Sequence, residues 1–280
     1  MVRAENLTMI FAPGTPDENH ALKNISLTVR QGDFITIIGS NGAGKSTLYN
    51  TIAGTYAPTS GKLFIKDEKD AAERDITREP EYRRARYIGR IFQNPLLGTA
   101  GKMTLEDNMM ICHKKGYKGL RISLDKTMRE TFREHLRVLG MGLENRLQDN
   151  VELFSGGQRQ ALTLLMTVMS RPSLLLLDEH TAALDPRNAE LIMDLTLRFA
   201  ADYRLTVMMI THNMVHALEF GNRLLMMDGG EIILDIDAVE KAKLTTGDIV
   251  QRFRDIKKRE LASDGILLSQ GQGNAVVCLQ

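Results

Sequence analysis

Gly39-Ser40-Asn41-Gly42-Ala43-Gly44-Lys45-Ser46-Thr47 fits the pattern GxxxxGK(S/T) of a phosphate-binding loop. It lies directly after an apolar run, Phe34 to Ile38, and directly before a helical pattern, Lys45 to Ala53. That setting is what the pattern needs physically. Successive backbone N–H groups from Ser40 to Gly44 form a concave nest, and the helix start that follows adds partial positive charge, so an anionic phosphate is held there. Lys45 is placed to reach the β- and γ-phosphates of a nucleoside triphosphate, with Ser46 as a Mg²⁺ ligand and Thr47 closing the set. A glycine-rich turn fits the pattern by accident in about one chain in a hundred of this length. The strand before it and the helix after it lower that figure further.

Working outward, the same alternation recurs. Leu174 to Leu177 and Leu205 to Ile210 are short apolar runs that read as buried strands. Helical patterns follow them at Pro186 to Tyr203 and Asn213 to Phe220. Strand, loop and helix repeated this way predict an α/β fold with a mostly parallel sheet covered on both faces. Asp185 before Pro186 reads as a cap followed by proline at the first helical position, and Gly221 as a helix stop. Ser155 and Gln158 have capping-box spacing ahead of the run Ala161 to Met169. Asp228-Gly229-Gly230 reads as the turn of a β-hairpin. From about Thr104 to Met141 the texture changes to a helical, Met-rich, charged insertion, with Thr104, Glu106 and Asp107 opening one helix and Ser123 another. A short amphipathic helix, roughly Asp248 to Leu261, leads into a Ser/Gly/Gln-containing tail without functional signal.

Composition narrows the function. In 280 residues, 36 Lys plus Arg balance 35 Asp plus Glu, a formal charge of +1. That argues against a protein whose main task is gripping nucleic acid. At 43% hydrophobic and 25% charged the chain is of globular composition, and its size allows one large domain with an insertion or two domains. Cys112 and Cys278 lie far apart with no Cys/His cluster, which predicts two reduced thiols and no zinc site. There is neither a signal-peptide pattern at the N-terminus nor a stretch of ~20 apolar residues, so a soluble chain that reaches a membrane only through a partner is expected.

Two further motifs carry chemistry. Leu174 to Leu177 end in Asp178-Glu179, at the carboxyl end of a parallel strand, where such sheets bind ligands. Beside a phosphate loop, Asp178 has a task in the magnesium shell and Glu179 in polarising an attacking water; alone, they would be solvated acids. Phe154-Ser155-Gly156-Gly157-Gln158 heads a helix and offers a second set of N–H groups suited to an anion. One chain thus has two phosphate-binding helix starts and one set of magnesium acids. A head-to-tail dimer resolves the mismatch if the Ser155 helix of each subunit covers the nucleotide on the other's Lys45 loop, an isologous arrangement.

At this point the sequence resembles the ATP-binding cassette (ABC) family, specifically the ATPase subunit of a transporter, from about residue 3 to 240. The motifs stand in the family's order: the phosphate loop, Gln93, the signature Phe154 to Gln158, Asp178-Glu179, Ala183-Leu184-Asp185 and Thr211-His212. The resemblance implies a P-loop NTPase sheet of the ABC type within residues 1–240, a helical subdomain inserted at about 94–158, a small antiparallel β part, and a C-terminal helix and tail over 241–280. It implies ATP and Mg²⁺ as cofactors. Gln93 would sense magnesium and the attacking water, Asp185 would line the dimer seam, and His212 would contact the γ-phosphate. Alone, Gln93 is a surface amide and His212 a strand-end histidine. Phe11 is the candidate for stacking on adenine, although the segment Ala12 to His20 is longer than usual, and a core role for Phe11 is the lesser alternative. Phe154 stands where Leu is usual, and His180 where Pro is frequent, a choice without a reason in the sequence. The apolar stretch Gln93 to Ala100 adjoins the surface that receives a membrane subunit's helix in this family.

The resemblance implies an energy-coupling ATPase that closes as a dimer on ATP and works with integral membrane permease subunits. An extracytoplasmic substrate-binding protein is an indirect partner, and the place is the cytoplasmic face of the cell membrane. A soluble ATP switch on nucleic acid or ribosomes fits less well, because such relatives carry two cassettes or a long coiled-coil insertion. The absence of a fused membrane domain, and of a charged motif in Leu147 to Leu153, leans to an importer over an exporter. The segments Ile38 to Thr47, Leu176 to Pro186 and Thr211 to Leu218 are similar to ATPases grouped with tryptophan/tyrosine-type importers.

Overall fold

The computed structural model describes residues 1–67, 72–113 and 125–256. Ser123 as a helix start, the end of the C-terminal helix at Leu261, Cys278 and the tail lie outside the described residues. The chain opens with β1 (Val2–Phe11), β2 (Asn19–Val29) and β3 (Phe34–Gly39), followed by α1 (Lys45–Ala53), β4 (Ser60–Ile65), β5 (Arg74–Asp75), α2 (Glu81–Arg84) and β6 (Ile88–Ile91). A helical stretch follows, with α3 (Leu105–His113), α4 (Lys126–Arg137) and α5 (Gly156–Met169). The remainder alternates: β7 (Leu174–Asp178), α6 (Pro186–Asp202), β8 (Val207–Ile210), α7 (Met214–Glu219), β9 (Arg223–Asp228), β10 (Glu231–Ile236) and α8 (Ala238–Lys241). A further helix runs over 246–256.

Two sheets result. The larger has the order β10-β9-β3-β8-β7-β6; β9, β3, β8, β7 and β6 are parallel, and β10 is an antiparallel edge reached through the Gly229-Gly230 hairpin. The smaller, β2-β1-β4-β5, is antiparallel. Continuous apolar strands are required because the large sheet is covered on both faces. Leu175, Leu177, Val207 and Met209 point into a core shared with α5, α6 and the helical stretch. Leu174, Leu176, Met208 and Ile210 point into a second core shared with α1 and the antiparallel sheet. The strand β8 begins at Val207, two residues after the apolar run does, because Leu205 and Thr206 are buried in the turn from α6. Thr206 Oγ1 accepts the N–H of Gly32 there. Apolar composition marks burial, not pairing.

Helix ends follow local chemistry. The side chains of Asp125, Ser155, Asp185, Asn213 and Asp237 cap α4, α5, α6, α7 and α8, and Ser155 with Gln158 forms a full capping box. The Thr104 hydroxyl donates to the Asp107 carboxylate, and the Asp107 N–H returns to it, which fixes the start of α3.

Three buried polar side chains hold elements together, and none has a motif. Arg84 is 1% exposed and donates to the carbonyls of Thr51, Ile52, Thr77 and Glu79, joining the end of α1 to the loop before α2. Its cation also sits favourably at a helix C-terminus. Lys241 donates to the carbonyls of Phe220 and Gly221, anchoring α8 to the end of α7; burial pushes its pKa down to about 8. His180 is 2% exposed, and its Nε2 lies 3.1 Å from Thr196 Oγ1. The only proton of that hydroxyl goes to the Ile192 carbonyl, so His180 Nε2 is the donor and carries the hydrogen. Burial, with a smaller push from His216, lowers the His180 pKa to about 4. A neutral aromatic ring filling the space under Glu179 is the physical reason for the residue that the sequence left unexplained.

Two stability predictions follow from these ties. Arg84→Met leaves four buried carbonyls without their donor, and at about 1–3 kcal/mol for an unsatisfied buried group it should lower the unfolding free energy by about 3 kcal/mol or more. Urea denaturation reads this directly, and an unchanged midpoint would refute it. His180 titrates near 6.5 when unfolded and near 4 when folded, so its contribution is complete above pH 6.5 and is lost as the pH falls towards 4. Between pH 7 and pH 5 it should account for about 2 kcal/mol of acid destabilisation, and His180→Gln should remove that share of the slope.

Candidate functional site

Three parallel strands deliver the site. Their carboxyl ends carry the loop after β3, Asp178 and Glu179 at the end of β7, and Thr211 and His212 after β8. The loop is pressed onto backbone on two sides. A Cβ on Gly39 would come within 2.1 Å of the Met227 carbonyl oxygen, and one on Gly44, at φ +96°, within 2.5 Å of the Ala21 carbonyl oxygen. No side chain fits at either position. Gly230 N–H donates to the Ala43 carbonyl, and Ser40 Oγ donates to Asp228 at 2.7 Å, so the β9–β10 hairpin braces the loop from behind.

The start of α1 has no side-chain cap. The first N–H groups of a helix have no internal acceptor, so those of Lys45, Ser46 and Thr47 are left open beside the loop. Ala43 differs from the expectation of a free nest donor: its N–H bonds the Ser40 carbonyl at 3.2 Å and closes the turn instead. Lys45 Nζ folds back onto the loop, donating to the carbonyls of Gly39 and Ser40 at 2.8 Å each. Burial pushes its pKa down, and the carboxylates of Glu179 and Asp178 pull it back up. These are the features of a cationic pocket that an oligophosphate completes.

Asp178 is held above the ordinary carboxylate range by burial, opposed by Arg90 and reinforced by Glu179. Arg90 lies 3.7 Å from the Asp178 carboxylate, donates to Asn50 at 2.7 Å and sits over the Phe92 ring. No sequence motif announced it. The Asp178 carboxylate beside Lys45 and the hydroxyl of Ser46, the next residue in the chain, offer oxygen donors. Such a set suits Mg²⁺, which takes one or two carboxylates and keeps its remaining positions for water and phosphate.

Glu179 has φ +46°, a left-handed conformation costing about 1–3 kcal/mol outside glycine. Its N–H bonds Ile210 O, and its carbonyl accepts from Ala182 N, so the turn is imposed from both sides. The side chain lies beside His212, with Nδ1 and Oε2 3.3 Å apart; His212 is 66% exposed and Glu179 22%. Asn213 positions that histidine, bonding Thr211 through its N–H and capping α7 through its side chain. His212 therefore reaches out over the site.

The structure brings Lys45, Asp178, Glu179 and His212 together. It places Ser155, Gly156, Gly157, Gln158 and Asp185 elsewhere. Among the described residues no hydrogen bond or ion pair joins the Ser155 turn to the Lys45 loop. Ser155 and Gln158 bond one another at the head of α5, and Gly156 and Gly157 lie against Leu184 and Asn188. Asn188 in turn bonds Asp185. The two segments form one exposed edge. Gln93 and Asn41 are exposed. Phe11 ends β1, half-buried, with its ring edge-on to Tyr56 at 5.3 Å.

Comparison with known proteins agrees with this geometry. A family model described as ABC transporter matches residues 22–182. A tyrosine transport ATP-binding protein of Clostridioides difficile is 38% identical over 90% of this chain and 98% of its own length. An energy-coupling factor transporter ATP-binding protein of Clostridium tetani is 28% identical over 92% of this chain and 89% of its own length. A methionine import ATP-binding protein of Enterococcus faecalis is 33% identical over 91% and 72%. Among solved structures, a dimeric ATP-binding cassette in a post-hydrolysis state with ADP and Pi superposes with a TM-score of 0.68 at 27% identity, covering 85% of this chain and 99% of that one. Among the described residues no helix is long and apolar enough to cross a membrane. With a family match over more than half of its length, and the phosphate loop, acids and fold of an ATP-binding cassette, the chain belongs to the ABC transporter ATP-binding family of ATPases.

Proposed function

We propose that the chain is the ATPase subunit of a bacterial importer, that its cargo is an aromatic amino acid, and that two copies close head-to-tail around two ATP molecules. The observation that carries the catalytic part is the convergence of Lys45, Asp178, Glu179 and His212 at the ends of three adjacent strands. The loop from Ser40 to Thr47 grips the phosphates with N–H groups, and Lys45 exchanges the carbonyls of Gly39 and Ser40 for phosphate oxygens. Ser46, Asp178 and Gln93 would hold Mg²⁺, which would supply charge neutralisation for the phosphates. Glu179 orients the attacking water and accepts its proton, and His212, beside it, contacts the γ-phosphate. Phe11 stacks on the adenine.

The dimer rests on the separation within one chain. The Ser155–Gln158 turn and Asp185 share an exposed edge apart from the Lys45 loop, and a second copy brings that edge to the nucleotide. The solved relative with ADP and Pi is itself dimeric. Docking on a permease is supported by exposed apolar side chains, Leu96, Leu97, Met103, Ile111 and Leu153, within the helical stretch and its approaches. A membrane subunit's amphipathic helix fits such a face, and it would hold the ATPase at the cytoplasmic face of the membrane. The tyrosine transport relative supports the cargo class, with an extracytoplasmic binding protein as the indirect partner.

Glu179→Gln should keep nucleotide binding and lose about 10²–10⁴-fold in turnover; ADP binding and phosphate release assays separate the two, and wild-type turnover would reject Glu179 as the base. Mixing a Lys45→Ala chain with a Ser155→Arg chain leaves one composite site intact per mixed dimer. Some hydrolysis should reappear on mixing, above that of either variant alone although about 10–100-fold below wild type where each site depends on the other, and no recovery at any ratio would reject the shared site.

A further inference from the structure

Gln160 lies in the second turn of α5 and is wholly buried. Its Nε2 donates to the His180 carbonyl at 2.7 Å and to the Phe92 carbonyl at 3.3 Å. Those two carbonyls have telling positions. One belongs to the residue that follows Glu179, and the other to the residue that precedes Gln93. Both neighbours of the amide nitrogen are carbonyls, which can only accept, so the NH₂ end is fixed there. The other end, Oε1, is buried and has no hydrogen-bond partner among the described residues. A buried amide that leaves its own oxygen unsatisfied in order to hold two carbonyls is a poor device for stability alone.

The surroundings make α5 a stiff lever. Arg159, next in the helix, donates to the carbonyls of Phe154 and Glu152 and braces the Ser155 turn. Further along, Thr163 and Thr167 lie so close to Gly98 and Gly89 that an added Cβ would stand 2.3 Å and 2.5 Å from their methyl carbons. At 1.5 Å per residue, Gln160 is about 7 Å along the axis from Ser155. A force on the Ser155 turn therefore reaches the Glu179 turn and the base of Gln93 through one amide. The left-handed Glu179 is poised for this, since its conformation is imposed by its neighbours.

We propose that Gln160 is a positioning residue that makes the seating of helix α5 and the placement of Glu179 interdependent, so that engagement of the partner's nucleotide by Ser155 sets the hydrolytic residues of the same chain. This rests on the shared-site reading above. Two sites linked in this way fire cooperatively, because each nucleotide is gripped by the helix that aligns the other site's glutamate.

The test is steady-state ATP hydrolysis by the full chain with Gln160→Met, which keeps the volume and removes both donors. Affinity of the free chain for ADP should stay within about twofold, since the Lys45 loop is a separate site. Turnover should fall by about 10–100-fold, as expected for a misplaced catalytic group, and the Hill coefficient for ATP should drop from near 2 towards 1. Gln160→Glu, of the same shape, sets a second oxygen against the two carbonyls and should be slower still; it decides the matter by the same readouts if Q160M does not fold. A residue that only supports packing would lower the melting temperature and leave turnover per folded molecule and the Hill coefficient as in the wild type. That result, or a wild-type Hill coefficient of 1, overturns the proposal. Full turnover by the Glu179→Gln chain would instead sink the catalytic reading on which it stands.

Discussion

An uncapped helix start that opens with a buried lysine is the constraint from which the rest of this molecule can be argued. Helices α3 to α8 and the helix over 246–256 each satisfy an N–H group of their first turn with a side chain. Helix α1 leaves its first N–H groups without a side-chain cap, and Lys45 donates to the carbonyls of its own loop. Such a pocket is costly to maintain, so the fold must enforce it. Backbone of β2 and β9 pressed against Gly44 and Gly39 does so, as do Asp228 on Ser40 and Gly230 on Ala43.

The same electrostatics set the acids. Asp178 is raised by burial and by Glu179, and only Arg90 and Lys45 oppose this. Two carboxylates adjacent in sequence at a buried strand end want cations. Among the described residues Arg90 and Lys45 are the cations that oppose the shift, and a divalent ion held by these acids would supply more positive charge. Electrostatic demand and oxygen-only ligation point to the same occupant.

What was legible in the sequence was whatever depends on neighbours in sequence. The loop, the extent of α1, the capping box of Ser155 and Gln158, and the Asp185 cap all arise from contacts within a few residues. Apolar runs gave β3, β7 and β8, which lie in the sheet covered on both faces; the antiparallel strands β1, β2, β4 and β5 were not legible that way. The residues that escaped notice act across long separations. Arg84 reaches residues 32 and 33 positions away, Gln160 reaches back 68 positions to Phe92, and Ser40 meets Asp228 across 188. An arginine or glutamine of that kind reads as an ordinary surface residue until the chain is folded. His180 looked like an anomaly for the same reason, its partner Thr196 being on the far side of a helix turn.

These long-range ties also explain how a packed molecule can transmit motion. Apolar contacts are non-directional, and a helix sliding on Leu and Met side chains loses little until it separates. A hydrogen bond to a carbonyl is directional and fails over a short displacement. Placing the few buried polar contacts where α5 meets the Glu179 turn, and where α8 meets the end of α7, therefore divides the structure into parts that shift on apolar surfaces and points that do not. Ser155 lies on one side of the Gln160 contact and the Glu179 turn on the other. Under the shared-site proposal that contact would carry a displacement from the Ser155 turn to the glutamate, where a uniformly apolar core would absorb it.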